Sequence, residues 1–368
     1  MHSPTVLIIK PSSLGDIVHG LLVAQMIKVG FPEARIDWVC RDVFAPLVAA
    51  CPVVDDVLLF QRHGGPTGFL RLIRAVRKRR YSHVLDMQGL ARSGLIALAA
   101  RADVVVGRDD AREGARIAYH RRTPLPTAGR DAHAVDVLAE FLPLLGLPRN
   151  VVARLPFRSP SRSPFRLFGR LPEMPPGTLR DNVHADRPGS PELSTKSPTP
   201  GQTSNQTSGP ILLFPESSRP EKNWPGYAAL TKLLLDALPD AFAAWAGAHA
   251  VPSPSGLAGF SESNTPRFLN MTGQTSLSEL PWLIAQARLV VGNDSGPLHL
   301  AAAMGVPTLA LFGPTAPAKY RPYPGDDRRN RVLCAPGGDM GLLRPEVALG
   351  AVLEAIRIQL SDLAQESG

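Results

Sequence analysis

Residues 288–315, RLVVGNDSGPLHLAAAMGVPTLALFGPT, hold the reading on which the rest of the chain depends. Leu289–Val291 reads as a short apolar strand and Gly292-Asn293-Asp294-Ser295-Gly296 as a tight turn. Pro297 opens a helix, and Thr308–Phe312 is a second strand. Proline costs nothing at a first helical position, because its missing N–H would be unpaired there anyway. Ser295 and Gly296 leave backbone N–H groups pointing out of the helix start, an end that carries roughly half a positive charge and favours phosphate. The turn lies at the carboxyl end of a strand, where open α/β sheets bind their ligands. Asp294 adds a hydroxyl acceptor and His299 a second donor. A plain βαβ crossover with a capped helix has the same local pattern, so the flanking sequence must discriminate.

On either side the same alternation continues. Upstream come Ile211–Phe214, a helix over Tyr227–Leu238, strands Phe242–Trp245 and Arg267–Asn270, and a helix over Leu277–Ala287; downstream a last helix spans Val347–Leu363. The first part of the chain repeats the scheme, with strands at Val6–Ile9, Arg35–Val39, Val57–Phe60, His83–Met87 and Val104–Val106. Between and after them lie helices at Ile17–Val29, Val43–Ala50, Phe69–Arg80, Leu90–Ala100 and Val135–Leu145. Strands that are nearly all apolar are covered on both faces, and βαβ units make parallel sheets. The fold class is therefore α/β, with two doubly wound, Rossmann-like parallel sheets. Between them the composition turns to Pro, Ser, Thr, Asn, Gln and Gly, too poor in aliphatic residues to offset chain entropy, which predicts disorder. The expected division is an N-terminal domain over 1–155, an interdomain insertion over 156–209, a C-terminal nucleotide-binding domain over 210–345 and a terminal helix over 346–368.

Composition removes several classes of function. The three cysteines, Cys40, Cys51 and Cys334, form no C-x-x-C pair, and the nine histidines lack ligand spacing, which argues against a zinc site or a disulfide framework. No charged-then-apolar leader precedes the first strand and no apolar run approaches the ~18 residues of a membrane span, so a cytoplasmic protein is expected. The net charge of +8 is concentrated: residues 62–122 hold fourteen Arg/Lys against five Asp/Glu. The densest run, Arg74–Arg80, has no interleaved aromatic stacking platforms, which counts against nucleic acid. It reads either as a solvated helix end favoured by the dipole or as a contact for an anionic membrane or a phosphorylated acceptor.

Four clusters fall at carboxyl ends of predicted strands. Lys10-Pro-Ser-Ser-Leu-Gly-Asp16 carries Ser12, Ser13 and a carboxylate, Asp16, that reads either as a helix cap or as a general base for a hydroxyl nucleophile. Asp86-Met-Gln-Gly-Leu-Ala-Arg-Ser93 offers Asp86, Gln88 and Arg92 to the same cleft. Pro215-Glu-Ser-Ser-Arg-Pro-Glu-Lys222 offers Ser217, Ser218 and the compact cation Lys222, suited to phosphate. The fourth cluster is the opening stretch. There is no D-x-D triplet, no G-x-G-x-x-G, no P-loop and no G-x-S-x-G elbow.

These clusters resemble the family-nine glycosyltransferases, the heptosyltransferases of lipopolysaccharide core assembly. The resemblance rests on KPSSLGDIVHGL (10–21), LDMQGLARSG (85–94), His133-Ala-Val-Asp136, SSRPEKNWP (217–225) and VVGNDSGPLHLAAAMGVPTLALFGPT (290–315). It implies a GT-B fold, two such domains facing across a cleft, and metal-independent, inverting transfer from an ADP-heptose-type donor without a further cofactor. The acceptor would be a lipid-linked, phosphorylated saccharide at the inner face of the inner membrane, with 62–122 toward the lipid. By position, Asp16 matches the general base, Lys222 a lysine near the donor, and Ser217 and Ser218 hydroxyl-bearing donor-loop residues. Asp294 matches a sugar contact, and Ser295, Gly296 and His299 the diphosphate-cradling turn; Ser12, Ser13, Asp86, Gln88 and Arg92 fall on the acceptor side. The chain departs from the family pattern at Ala316 and in having no acidic residue between Trp245 and Glu262. A nucleotide-sugar epimerase or hydrolase, or a non-catalytic sugar-nucleotide binder, would share the phosphate site.

Overall fold

In the computed structural model the described residues are 3–152, 154–157, 209–255, 257 and 267–366. Most of the Pro/Ser-rich segment therefore lies outside the described residues.

The first half runs β1 (Thr5–Ile9), α1 (Leu14–Gly30), β2 (Arg35–Arg41), α2 (Ala45–Ala50), β3 (Asp56–Phe60), α3 (Gly65–Val76), β4 (Arg80–Asp86), α4 (Ala91–Ala99), β5 (Arg101–Arg108), β6 (Arg121–Thr123) and α5 (Ala134–Ala139). The second half runs β7 (Ile211–Phe214), α6 (Tyr227–Ala237), β8 (Ala243–Trp245), β9 (Phe268–Asn270), α7 (Leu280–Ala285), β10 (Leu289–Asn293), α8 (Gly296–Ala303), β11 (Thr308–Phe312), α9 (Pro317–Tyr320), β12 (Asn330–Cys334) and α10 (Pro345–Glu366). Each half forms a six-stranded sheet, β3-β2-β1-β4-β5-β6 and β12-β11-β10-β7-β8-β9. Every ladder is parallel. Counted along the chain, both sheets have the strand order 3-2-1-4-5-6, so each reverses direction once, between β1 and β4 in one and between β7 and β10 in the other. The four clusters of the sequence follow these four strands, at the two switch points where such sheets leave a crevice.

β6 and β12, absent from the sequence expectation, are edge strands; RRT and NRVLC are short and charged, as suits an exposed edge. The expected helix Val135–Leu145 stops at Ala139, and its remainder is a 3₁₀ turn over Pro143–Leu145, where proline supplies no N–H to continue an α-helix.

The halves meet through α1 and α8. Leu298, Leu300 and Ala301 join Ile17, Val18 and Leu21 in one apolar cluster that includes residues of both sheets. α10 packs on the second half, burying Ala348, Val352, Ala355 and Ile356 among Leu230, Leu234 and Leu235 of α6.

Candidate active site

α1 and α8 approach each other with their N-terminal turns, and glycine permits it. A Cβ on Gly15 would lie 2.8 Å from Cδ2 of His299, and one on Gly296 would lie 2.4 Å from Cγ of Leu14. Asp16 and the turn Asp294–His299 therefore border one crevice.

At the α1 end, Ser13 caps the helix and Asp16 stands three residues in. Asp16 Oδ2 accepts from the Ser13 amide at 3.0 Å and from the Ser13 hydroxyl at 2.8 Å, and Oδ1 lies 3.3 Å from Lys10 Nζ. Burial favours the neutral acid, but the Lys10 ammonium and the two Ser13 donors outweigh it and hold the carboxyl well below the usual range. The fully enclosed Lys10 is itself shifted down by burial, against the pull of Asp16. One oxygen of Asp16 thus closes the helix and the other faces Lys10.

Asp16 also lines a cavity of about 470 Å³ with Lys10, Gln88, Arg108, Arg112 and Lys319. Lys319 crosses from the second half and bonds Asp131 at 2.8 Å, so the cavity is walled by both halves. A smaller space of about 250 Å³ next to it is lined by Ser12, Arg41, Arg62, Arg92 and again Gln88.

One expectation fails here. Asp86 does not reach the cleft: it is fully buried, with Oδ1 accepting from the amides of Gln88 and Gly89 and Oδ2 from Tyr119 Oη at 2.7 Å. Burial raises its pKa against those bonds. Its work is to fix the β4–α4 turn, which Ser93 completes by exchanging hydrogen bonds with the backbone of Leu90.

On the second half, Asp294 is enclosed by three donors. Lys222 Nζ lies 2.6 Å and Thr315 Oγ1 2.9 Å from Oδ2, and His299 Nε2 lies 3.4 Å from Oδ1. Burial opposes ionisation of Asp294, but His299 and Lys222 prevail and bring its pKa down to about 2. On its other side His299 Nδ1 faces His19 Nε2 across 3.3 Å, a distance at which one proton joins the two rings. His133 sits edge-on to His19 at 5.7 Å between ring centroids. Its Nδ1 accepts from the Val135 amide, so Nε2–H donates to the Arg321 carbonyl at 2.9 Å.

Ser295 is the N-cap of α8, yet its Oγ is buried and makes no hydrogen bond among the described residues. The Ser217 hydroxyl, by contrast, is occupied locally, donating to the Arg219 carbonyl at 2.7 Å. Ser218 is exposed.

The model of "Glycosyltransferase family 9 (heptosyltransferase)" matches residues 179–336. Curated relatives extend the match over both halves. The lipopolysaccharide core heptosyltransferase OpsX of Haemophilus influenzae is 23% identical over 325 residues, 86% of this chain and 81% of that protein. Lipopolysaccharide heptosyltransferase 1 of Pseudomonas aeruginosa is 28% identical over 331 residues, 85% and 79% of the two chains. The chain is a glycosyltransferase, similar over both halves to those of family 9. Its fold is that of the Escherichia coli heptosyltransferase WaaC solved with ADP, at a TM-score of 0.69 and 22% identity over 95% of this chain and 99% of that one. A family 9 glycosyltransferase of Veillonella parvula superposes at a TM-score of 0.70 and 18% identity, over 96% and 97%.

The structure adds residues that the strand-end argument left unassigned. Lys10, His19 and His133 lay inside the quoted motifs; Lys10 pairs with nearby Asp16, whereas the contacts of His19 and His133 are with partners far along the chain. Arg108, Arg112 and Lys319 were part of a charge count or unremarked, because which arginine faces a cavity depends on the packing of β5 and α9.

Proposed function

We propose that this glycosyltransferase inverts the anomeric centre, works without a metal, and moves a heptose-like sugar from an ADP-sugar to a lipopolysaccharide-core or other lipid-linked acceptor. The observation that carries the reading is the abutment of the two helix starts, which sets a carboxylate and an anion-binding turn on one crevice. The donor diphosphate lies against Ser295, Gly296 and Lys222, with Asp294 and His299 orienting the lysine and the sugar. The acceptor enters the cavity of about 470 Å³, whose cations suit a phosphorylated or carboxylated saccharide. Asp16 takes the proton of the attacking hydroxyl as the new bond to the anomeric carbon forms and the bond to the diphosphate breaks on the opposite face. A carboxylate held so acidic is a weak base, so proton transfer accompanies attack rather than preceding it. Charge on the departing diphosphate is met by Lys222 and the α8 amides; preorganised donors of this kind are worth about 3 kcal/mol each.

The test is incubation with ADP-heptose, with and without a lipid-linked acceptor, followed by assignment of the product anomer. Transfer with inversion is expected. Retention, or turnover of the donor that ignores the acceptor, overturns the reading.

The acceptor's lipid places this activity at the cytoplasmic face of a membrane. No helix among the described residues is long and apolar enough to cross one. Support for a peripheral mode comes from residues 62–122, where Arg92, Leu95 and Leu98 form an outward stripe on α4. Leu95 and Leu98 are 54% and 62% exposed, and neighbouring Ile117 is 88% exposed beside Arg116. Apolar tips ringed by cations suit an anionic bilayer. Sedimentation with phosphatidylglycerol vesicles should weaken with salt and with Leu95→Asp; indifference to both counts against it.

A further inference from the structure

His19 stands on α1, one turn beyond Asp16, yet its hydrogen bond crosses to the other half of the molecule. Its Nε2 lies 3.3 Å from Nδ1 of His299 on α8, and both rings are buried. From His299 the polar contacts run on without a gap. His299 Nε2 lies 3.4 Å from Asp294 Oδ1, and Asp294 Oδ2 lies 2.6 Å from Lys222 Nζ. One face of α1 holds the His299 ring, because Gly15 and His19 are four residues apart and so lie on the same side of the helix. The Gly15 backbone sits against Cδ2, where a Cβ would come within 2.8 Å.

A lysine ammonium is a point charge on a flexible four-carbon stem, so its position is set by what holds it. Asp294 holds Lys222 by its carboxylate and, at 3.3 Å, by its main-chain carbonyl. Thr315 and His299 fix that carboxylate in turn. The imidazole of His299 gives one ring nitrogen to Asp294 and the other to His19. Without His19, a buried ring nitrogen loses its partner, and turning the ring away from Asp294 relieves the cost.

We propose, resting on the donor-site reading above, that His19 is a positioning residue for the donor. From the half that carries Asp16 it holds His299, through it Asp294, and through both the ammonium of Lys222 where the diphosphate binds. A donor site built on one half is thereby completed by the other.

Calorimetric titration of the full chain with ADP and with inorganic pyrophosphate tests the assignment, each variant being titrated well below its own melting temperature. His19→Leu should weaken both ligands by about tenfold, the scale of a lost hydrogen bond in a charged network. His19→Gln should bind both within about threefold of the parent. Its carboxamide nitrogen is as many bonds from the backbone as Nε2, and the amide can donate or accept. His19→Asn is equally polar but one bond shorter, and should behave like His19→Leu. Placed in Lys222→Ala, His19→Leu should cost less than about twofold, because the residue it positions is gone. Unchanged affinity in both His19→Leu and His19→Asn overturns the assignment. So does a loss of equal size with and without Lys222, which would make His19 only packing at the seam. A parent that binds neither ligand, or a Lys222→Ala variant that binds both as the parent does, overturns the donor-site reading instead.

Discussion

The start of α1 and the start of α8 are the same device with opposite settings. Both follow a strand at a switch point, both are capped by a serine, and both rely on a glycine to approach the other. α1 neutralises its own end: Asp16 sits in its first turn and takes both donors of Ser13. α8 has no acid in its first turn and leaves its cap hydroxyl unbonded. A helix end that already holds a carboxylate has little left for an anion, whereas one without is a phosphate site. The contrast supports the proposed division into base and donor site without reference to any relative.

The sharpest way to break the contrast is to exchange the effects of the two ends. Asp16→Ala should lower kcat by about 10²–10⁴, the range of a positioned general base, while ADP affinity measured by titration changes less than about twofold. Lys222→Ala should do the converse at first order, weakening ADP and pyrophosphate. If Asp16→Ala turns over normally, the α1 end is only a cap. Next in size is Gly296→Ala, whose methyl must displace Leu14. Overpacking of this kind costs about 1–3 kcal/mol, to be read as a lower melting temperature; an unchanged melt would mean that the two helix starts can part freely. The smallest effect is on pH. Burial beside His299 and His133 pushes the pKa of His19 well below its usual value, with Asp16 pulling the other way and Lys10 adding to the push; His133 is lowered too, chiefly by burial. The unfolded chain then takes up these protons first. Stability is therefore complete above about pH 6.5 and falls as pH drops below it, by at most about 1.4 kcal/mol per unit for each histidine. His19→Gln should flatten a plot of melting temperature between pH 7.5 and 5.

The central strands were legible because they are apolar on both faces: TVLII, LVVGN and TLALF cannot sit anywhere but inside. RRT and NRVLC carry no such mark, since an edge strand is defined by the neighbour it pairs with. At the site, Asp16, Lys222, Asp294 and His299 could be picked out from their places after strands. That His299 binds His19 could not, because the two are 280 residues apart in sequence. Asp86 shows the converse limit: its type and position suited a cleft, but three donors from Gln88, Gly89 and Tyr119 had already filled its oxygens.

The apolar cluster shared by α1 and α8 bears on how the enzyme comes apart. Val6 and Phe312, from different sheets, belong to the same buried assembly, so neither sheet can lose its packing without exposing the other's. Heating should give one calorimetric peak for both halves, and a ligand seated on the second should protect the amides of the first from exchange as well.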